Sequence, residues 1–191
     1  MSATMLLYLF DGFADWEPAY LCAGLAKAGW KILSVSRDGR PVRSMGGLLI
    51  QPDCALSAVP RAFDLLVLPG GAAWLDGGND AALPLVRHAA KSSVPIGAIC
   101  NAAAFLAMHG FLNEIRHTGN TLAFLQACAP RYTGGALFEE RQAVCDGGIV
   151  TANGYAALAF TREVMRLVGC VPEEGSPENW YAMHRSGFYP D

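Results

Sequence analysis

Uninterrupted apolar runs of strand length recur along the chain, and most are followed by a segment of helical character. Residues 5–10 (MLLYLF) form the first run. In the segment after it, DGFADWEPAYLCAGLAKAGW, Asp15 can cap a helix, Glu17 and Pro18 fall in its first turn, and Gly29 closes it. Residues 30–36 (WKILSVS) predict a second strand, and RDGRPVRSMGGLLIQPD predicts a turn and a short hairpin carrying Gly46 and Gly47. A third strand, residues 65–68 (LLVL), ends at Pro69, Gly70 and Gly71, after which Asp80 is placed to cap the helix ALPLVRHAAKSS. The pattern repeats with the strand VPIGAIC and a helix over residues 102–109, closed by Gly110. A short strand near residues 116–118 leads into TLAFLQACAPRY, a helix stopped by Pro130. LFEERQAVCDGGIVTANG alternates like two strands about Asp146-Gly147-Gly148, and YAALAFTREVMRLVG is an amphipathic last helix.

Strands without alternation are buried on both faces, and strands that alternate with helices imply right-handed parallel crossovers. The prediction is an α/β sandwich, one domain over residues 1–170, with a mainly parallel sheet between helices. From residue 171 the chain turns polar and rich in Pro and Gly, yet it carries Trp180, Tyr181, Phe188 and Tyr189. A disordered tail is poor in aromatics, so this one is expected to pack on its own domain or on a second subunit.

Composition narrows the function. The chain has 191 residues, 52% hydrophobic and 16% charged, with 21 Gly and 11 Pro, as suits one domain of buried strands and tight turns. Fourteen Lys and Arg stand against 17 Asp and Glu, with no basic run, which argues against a nucleic-acid partner. The apolar run at residues 5–10 lacks a basic leader and is too short for a signal peptide or a membrane span. The six cysteines are scattered, with no CxxC pair and no Cys/His spacing of a zinc site. These features predict free thiols in a reducing cytoplasm, no membrane partner, and no metal or organic cofactor. Cys22, Cys128 and Cys170 lie among apolar residues and read as small core hydrophobes.

In open α/β sheets ligands bind beyond the carboxyl ends of the strands. Glu17, the Gly70-Gly71 pair and Cys100 all fall there. A cysteine at a strand-to-helix corner lies near the positive end of the helix, which favours a thiolate and makes a nucleophile. Backbone amides after Cys100, together with one from the glycine turn, could form an oxyanion site. On position alone, Cys100 can equally be an inert thiol ending a buried strand, and Glu17 a carboxylate complementing the helix dipole. Histidine is the usual partner base, and His117 in RHTGN is the candidate for that or for substrate binding. His88 and His109 fall in helices and read as surface or dipole partners.

LPGG, GAIC followed by a small-residue helix, RHTGN and VTANGYAALAFTREVM occur in this order, and together they resemble the ThiJ/PfpI family of the class I glutamine amidotransferase-like superfamily. The resemblance implies a flavodoxin-like three-layer sandwich, with a nucleophile elbow at Cys100 and Glu17 held against its sulfur. It also implies that the amides of Gly71 and Asn101 make the oxyanion site. The departures are as informative. Protease-like members carry histidine after the cysteine, where this chain has Asn101. Glutaminase members carry a histidine and a glutamate after a late strand, where this chain reads Ala-Asn-Gly at residues 152–154. Other members place a histidine twenty positions after the cysteine, where this chain has Asn120, which can orient a substrate but cannot shuttle a proton at neutral pH.

The resemblance thus implies a cytoplasmic, homodimeric enzyme acting on a small electrophilic substrate, of hydrolase, hydratase or glyoxalase type, through Cys100 and Glu17. Protease and glutaminase activities are disfavoured. The alternatives are a redox sensor that oxidises Cys100 reversibly, a glutamine amidotransferase-like protein, and a small-molecule-binding module without catalysis.

Overall fold

The computed structural model describes residues 2–188. Nine strands and six α-helices follow in chain order. They are β1 (Thr4–Tyr8), α1 (Trp16–Lys27), β2 (Lys31–Ser36), β3 (Val42–Arg43), β4 (Leu49–Ile50), β5 (Cys54–Ala55), β6 (Leu65–Leu68) and α2 (Leu83–Lys91). After these come β7 (Ile96–Ile99), α3 (Asn101–Met108), α4 (Leu122–Cys128), β8 (Ala143–Asp146), β9 (Ile149–Ala152), α5 (Ala157–Leu167) and α6 (Pro177–Ser186).

Seven strands form one sheet in the order β5-β2-β1-β6-β7-β9-β8, parallel except for β8, which pairs antiparallel with β9. The apolar runs explain the order: β6 and β7 are buried along their whole length at the centre of the sheet, covered by helices on both faces. The predicted hairpins are present, β3–β4 as a separate two-stranded ribbon and β8–β9 about Gly147 and Gly148. The strand expected near residues 116–118 is reduced to a single bridge between His117 and Phe138.

Two glycines lie where α5 comes close, Gly24 against the end of the flexible Met165 side chain and Gly97 against the Phe160 ring. A Cβ at Gly24 of α1 would stand 2.2 Å from the Met165 Cε of α5, and one at Gly97 of β7 would stand 2.8 Å from the Phe160 ring. These close approaches seat α1 and α5 against each other and α5 on the sheet. The segment after residue 170 forms α6, which packs on α5 and buries Trp180 to 3% exposure, with Tyr20 of α1 edge-on to its ring. Its predicted aromatic Tyr189 lies outside the described residues.

Two predicted caps are absent, since neither α1 nor α2 has a side-chain cap bond. Asp15 precedes α1 but makes no cap bond, because its carboxylate accepts a hydrogen bond from Ser44 Oγ at 2.6 Å. Asp80 lies inside a 3₁₀ turn, Asp80–Ala82, so it starts no α-helix and α2 begins at Leu83. Thr121 and Ser176 cap α4 and α6 through their hydroxyls. Cys170 is buried, whereas Cys22 and Cys128 pack against the core half-buried, and all six cysteines are free thiols.

The sheet order gathers the site. β1, β6, β7 and β9 are consecutive neighbours, and the segments leaving their carboxyl ends carry Glu17, Gly70, Cys100 and Gly154.

Candidate active site

Cys100 joins β7 directly to α3, and the corner holds it at φ +61°, ψ −127°, a region that residues other than glycine seldom occupy. Holding it there costs about 1–3 kcal/mol. The half-buried sulfur is surrounded by groups from three other segments.

Glu17 arrives from the first turn of α1 and is fully buried. Its Oε2 accepts a hydrogen bond from the Gly70 amide at 2.5 Å, while Oε1 is buried with no hydrogen-bond partner. Two glycines make room for the pair. A Cβ at Gly70 would lie 2.6 Å from Cys100 Cβ and 2.8 Å from Glu17 Oε2, and one at Gly154 would lie 2.9 Å from Cys100 Sγ and 3.4 Å from Glu17 Oε1.

Asn120 holds the other side of the sulfur. Its Nδ2 donates to Cys100 Sγ at 3.4 Å and to Asn101 Oδ1 at 3.3 Å, and its Oδ1 accepts from the Gly154 amide at 3.0 Å. Asn101 Nδ2 donates to the Gly71 carbonyl at 3.2 Å, which ties the two segments whose amides were expected to form an oxyanion site. The Asn101 amide, next in the chain, favours the Cys100 thiolate. Gly71 adopts φ +152°, and its N–H donates to no backbone carbonyl among the described residues. Trp16 Nε1 donates to the Gly154 carbonyl at 3.2 Å and closes the ring of contacts.

Burial governs the electrostatics. It pushes the Glu17 carboxyl up to about 7, against the opposing pull of the Gly70 amide and the Cys100 thiol. It also pushes the Cys100 thiol up, with the negative charge of Glu17 adding to the rise and the hydrogen bonds from Asn120 and Asn101 resisting it. The corner therefore does not by itself acidify the sulfur, as its place at a helix start had implied: desolvation and the facing carboxylate outweigh the amides. The two groups titrate as a pair. When Glu17 holds the proton, the repulsion that disfavours the thiolate is gone.

The structure brings Cys100, Glu17, Gly71, Asn101 and Asn120 together, but not His117. That imidazole is fully buried, with Nδ1 on the Ile115 carbonyl at 2.7 Å and Nε2 bonded to the Tyr132 hydroxyl. Both ring nitrogens are engaged, and burial holds the ring below its ordinary value, in the neutral form. It serves the packing of the bridge to Phe138. Conversely, Gly154 and Trp16 were not singled out from the sequence. The signal for Gly154 was the Ala-Asn-Gly at the end of β9, legible as a missing His-Glu pair but equally a place where the backbone can approach the sulfur.

A cavity of about 610 Å³ opens beside Asn120, between residues 118–122 and 138–142. Among the described residues no group of three or more His, Cys, Asp or Glu side chains could hold a metal ion, and no helix is long and apolar enough to cross a membrane.

A strained elbow cysteine facing a buried glutamate, at the carboxyl edge of a mainly parallel sheet flanked by helices, defines a flavodoxin-like α/β protein of the elbow-cysteine class. The chain belongs to the DJ-1/PfpI family, which matches residues 3–167. It is 37% identical to the uncharacterized protease YdeA of Bacillus subtilis, over 96% of this chain and 92% of that protein. It is 26% identical to the deglycase TK1284 of Thermococcus kodakarensis, over 86% of this chain and 98% of that protein. Among solved structures, the DJ-1 superfamily protein Atu0886 of Agrobacterium tumefaciens superposes with a TM-score of 0.87 at 36% identity, covering 96% of this chain and 99% of that one.

Proposed function

We propose that the protein is a cysteine-dependent enzyme that acts on the electrophilic carbonyl carbon of a small molecule. The observation that carries this reading is Cys100 held at φ +61° over a buried glutamate whose carboxyl is pushed up to about 7. A packing thiol has no need of such a backbone, and strained residues concentrate where chemistry is done. The relatives named a protease and a deglycase support an enzyme while differing in type. Asn101 in place of an adjacent histidine speaks against protease chemistry, and Ala-Asn-Gly at residues 152–154 against glutamine hydrolysis.

In the proposed step the Cys100 thiol gives its proton to the Glu17 carboxylate as the sulfur adds to the carbonyl carbon, forming a C–S bond while the carbonyl π pair moves to oxygen. The Gly71 and Asn101 amides stabilise that oxygen. Protonated Glu17 then gives it its proton, yielding a hemithioacetal and a carboxylate ready to take a proton back. Asn120 orients both sulfur and substrate. The protein is further proposed to act as a homodimer in a reducing compartment, a reading supported by the exposed apolar side chains Trp16, Tyr20, Met45, Leu48 and Leu49 and by six free thiols.

The test is turnover of a panel of 2-oxoaldehydes and glycated amines. Cys100→Ser is expected to lower kcat/KM at least about a thousandfold, and Glu17→Gln about a hundredfold. Undiminished turnover in Cys100→Ser overturns the reading. Peroxide oxidation of Cys100 with no turnover of any carbonyl replaces it with a redox sensor.

A further inference from the structure

Two side-chain amides, one at the start of α3 and one just before α4, form a hydrogen-bonded chain that ends on backbone at both sides and passes the Cys100 sulfur. The Gly154 N–H donates to Asn120 Oδ1 at 3.0 Å, Asn120 Nδ2 donates to Asn101 Oδ1 at 3.3 Å, and Asn101 Nδ2 donates to the Gly71 carbonyl at 3.2 Å. Each end admits one polarity. A backbone N–H can only donate and a backbone C=O can only accept. Neither amide can therefore turn over without setting two donors or two acceptors against each other. Trp16 steadies one end through its bond to the Gly154 carbonyl.

The polarity decides what the sulfur meets. An amide nitrogen carries two N–H groups. With one given to Asn101 Oδ1, the other N–H of Asn120 is left for Cys100 Sγ, 3.4 Å from the nitrogen. A turned Asn120 would present its oxygen there instead, which repels a thiolate. Asn101 Oδ1 lies farther from the sulfur, at 3.8 Å, and accepts from the neutral thiol. Among the described residues Glu17 is the only charged group whose field reaches the sulfur, and that charge opposes ionisation. Stabilising the thiolate therefore falls to neutral donors, Asn120 Nδ2 and the Asn101 backbone amide. Neither titrates, whereas an unperturbed histidine in their place would lose its charge above about pH 6.5.

We infer that Asn101 is a positioning residue for the nucleophile: its side chain locks the Asn120 amide with an N–H on the Cys100 sulfur, and this locked donor favours the thiolate at every working pH. The inference rests on the proposed reading of Cys100 as a nucleophile and adds how its anion is held.

Alkylation of Cys100 by iodoacetamide against pH, read by peptide mass spectrometry, tests this without any substrate, so its failure is distinct from a failure to find turnover. The midpoint of the thiol step is followed in the parent, Asn101→Leu, Asn120→Leu and the double variant. Asn120→Leu is expected to raise the midpoint by about one pH unit, a roughly tenfold loss of rate below it. Asn101→Leu is expected to raise it as well, although it removes an acceptor near the sulfur, a change that by itself would lower the midpoint. That sign separates action through Asn120 from a direct effect. In the Asn120→Leu background, Asn101→Leu is expected to raise the midpoint no further. A midpoint that Asn101→Leu leaves unchanged or lowers in the parent overturns the inference, as does an equal rise in both backgrounds. Should a variant fail to fold, the ¹⁵N-labelled parent decides. Its two Asn120 Nδ2 protons are expected to respond unequally to the thiol titration, one facing the sulfur and one held by Asn101. Two protons that respond alike, or not at all, overturn the inference.

Discussion

Glu17 sets the pH behaviour of the molecule. Its carboxyl rises from an ordinary 4.5 to about 7 because the folded protein removes it from water. Between those values the folded state keeps a proton that the unfolded chain has released, so stability falls as pH rises through the window. A shift of this size corresponds to about 3 kcal/mol. Glu17→Gln cannot ionise, so its stability relative to the parent is expected to improve by about that amount between pH 4.5 and pH 8, measured by urea unfolding at each pH. A difference that does not vary with pH contradicts a raised carboxyl. At this scale the sequence was legible where a residue's role follows from its place on an element. Cys100 at a strand end and Glu17 in a first turn are such cases. It was illegible where a distant partner decides. Asp15 turns from its helix to Ser44, and His117 is taken up by Ile115 and Tyr132. Ser44 and Tyr132 lie 29 and 15 positions from the residues they claim.

Strands and helices were read well from apolar runs because the central strands are buried on both faces and show no competing pattern. The short elements were harder. The bridge at His117 has too few paired residues to leave a signature, and Asp80 enters a 3₁₀ turn where an α-helix start was expected. Gly97 illustrates how one position couples elements: in the middle of β7 it admits the Phe160 ring of α5. Gly97→Ala is expected to cost about 1–3 kcal/mol, the usual penalty of overpacking, with a corresponding fall in the urea midpoint. An unchanged midpoint would mean that α5 shifts freely over the sheet. β7 also carries Cys100 at its end, so the same substitution is expected to slow Cys100 chemistry through position alone.

Over the whole molecule, exposed apolar side chains cluster where the β3–β4 hairpin meets the start of α1, joined by the Met45 amide bonded to the Phe13 carbonyl and by Ser44 bonded to Asp15. Leu49 is 64% exposed and Met45 56%. If this face joins two copies, Leu49→Glu is expected to convert a dimer to a monomer in light scattering after gel filtration, with the fold retained. A wild-type monomer at micromolar concentration contradicts the proposed dimer. Trp16 lies beside this face and bonds to Gly154 at the sulfur, so dissociation is expected to slow Cys100 chemistry as well. Fold and elbow bring one pair of groups together, the buried Glu17 carboxyl and the half-buried Cys100 thiol. The most direct measurement is the alkylation rate of Cys100 in the native protein against pH, read by peptide mass spectrometry, with Glu17→Gln beside it. The account predicts a two-step profile whose first inflection lies near pH 7 and disappears in Glu17→Gln, leaving a single thiol titration. Identical one-step profiles in both proteins, or labelling that begins only on denaturation, would contradict it.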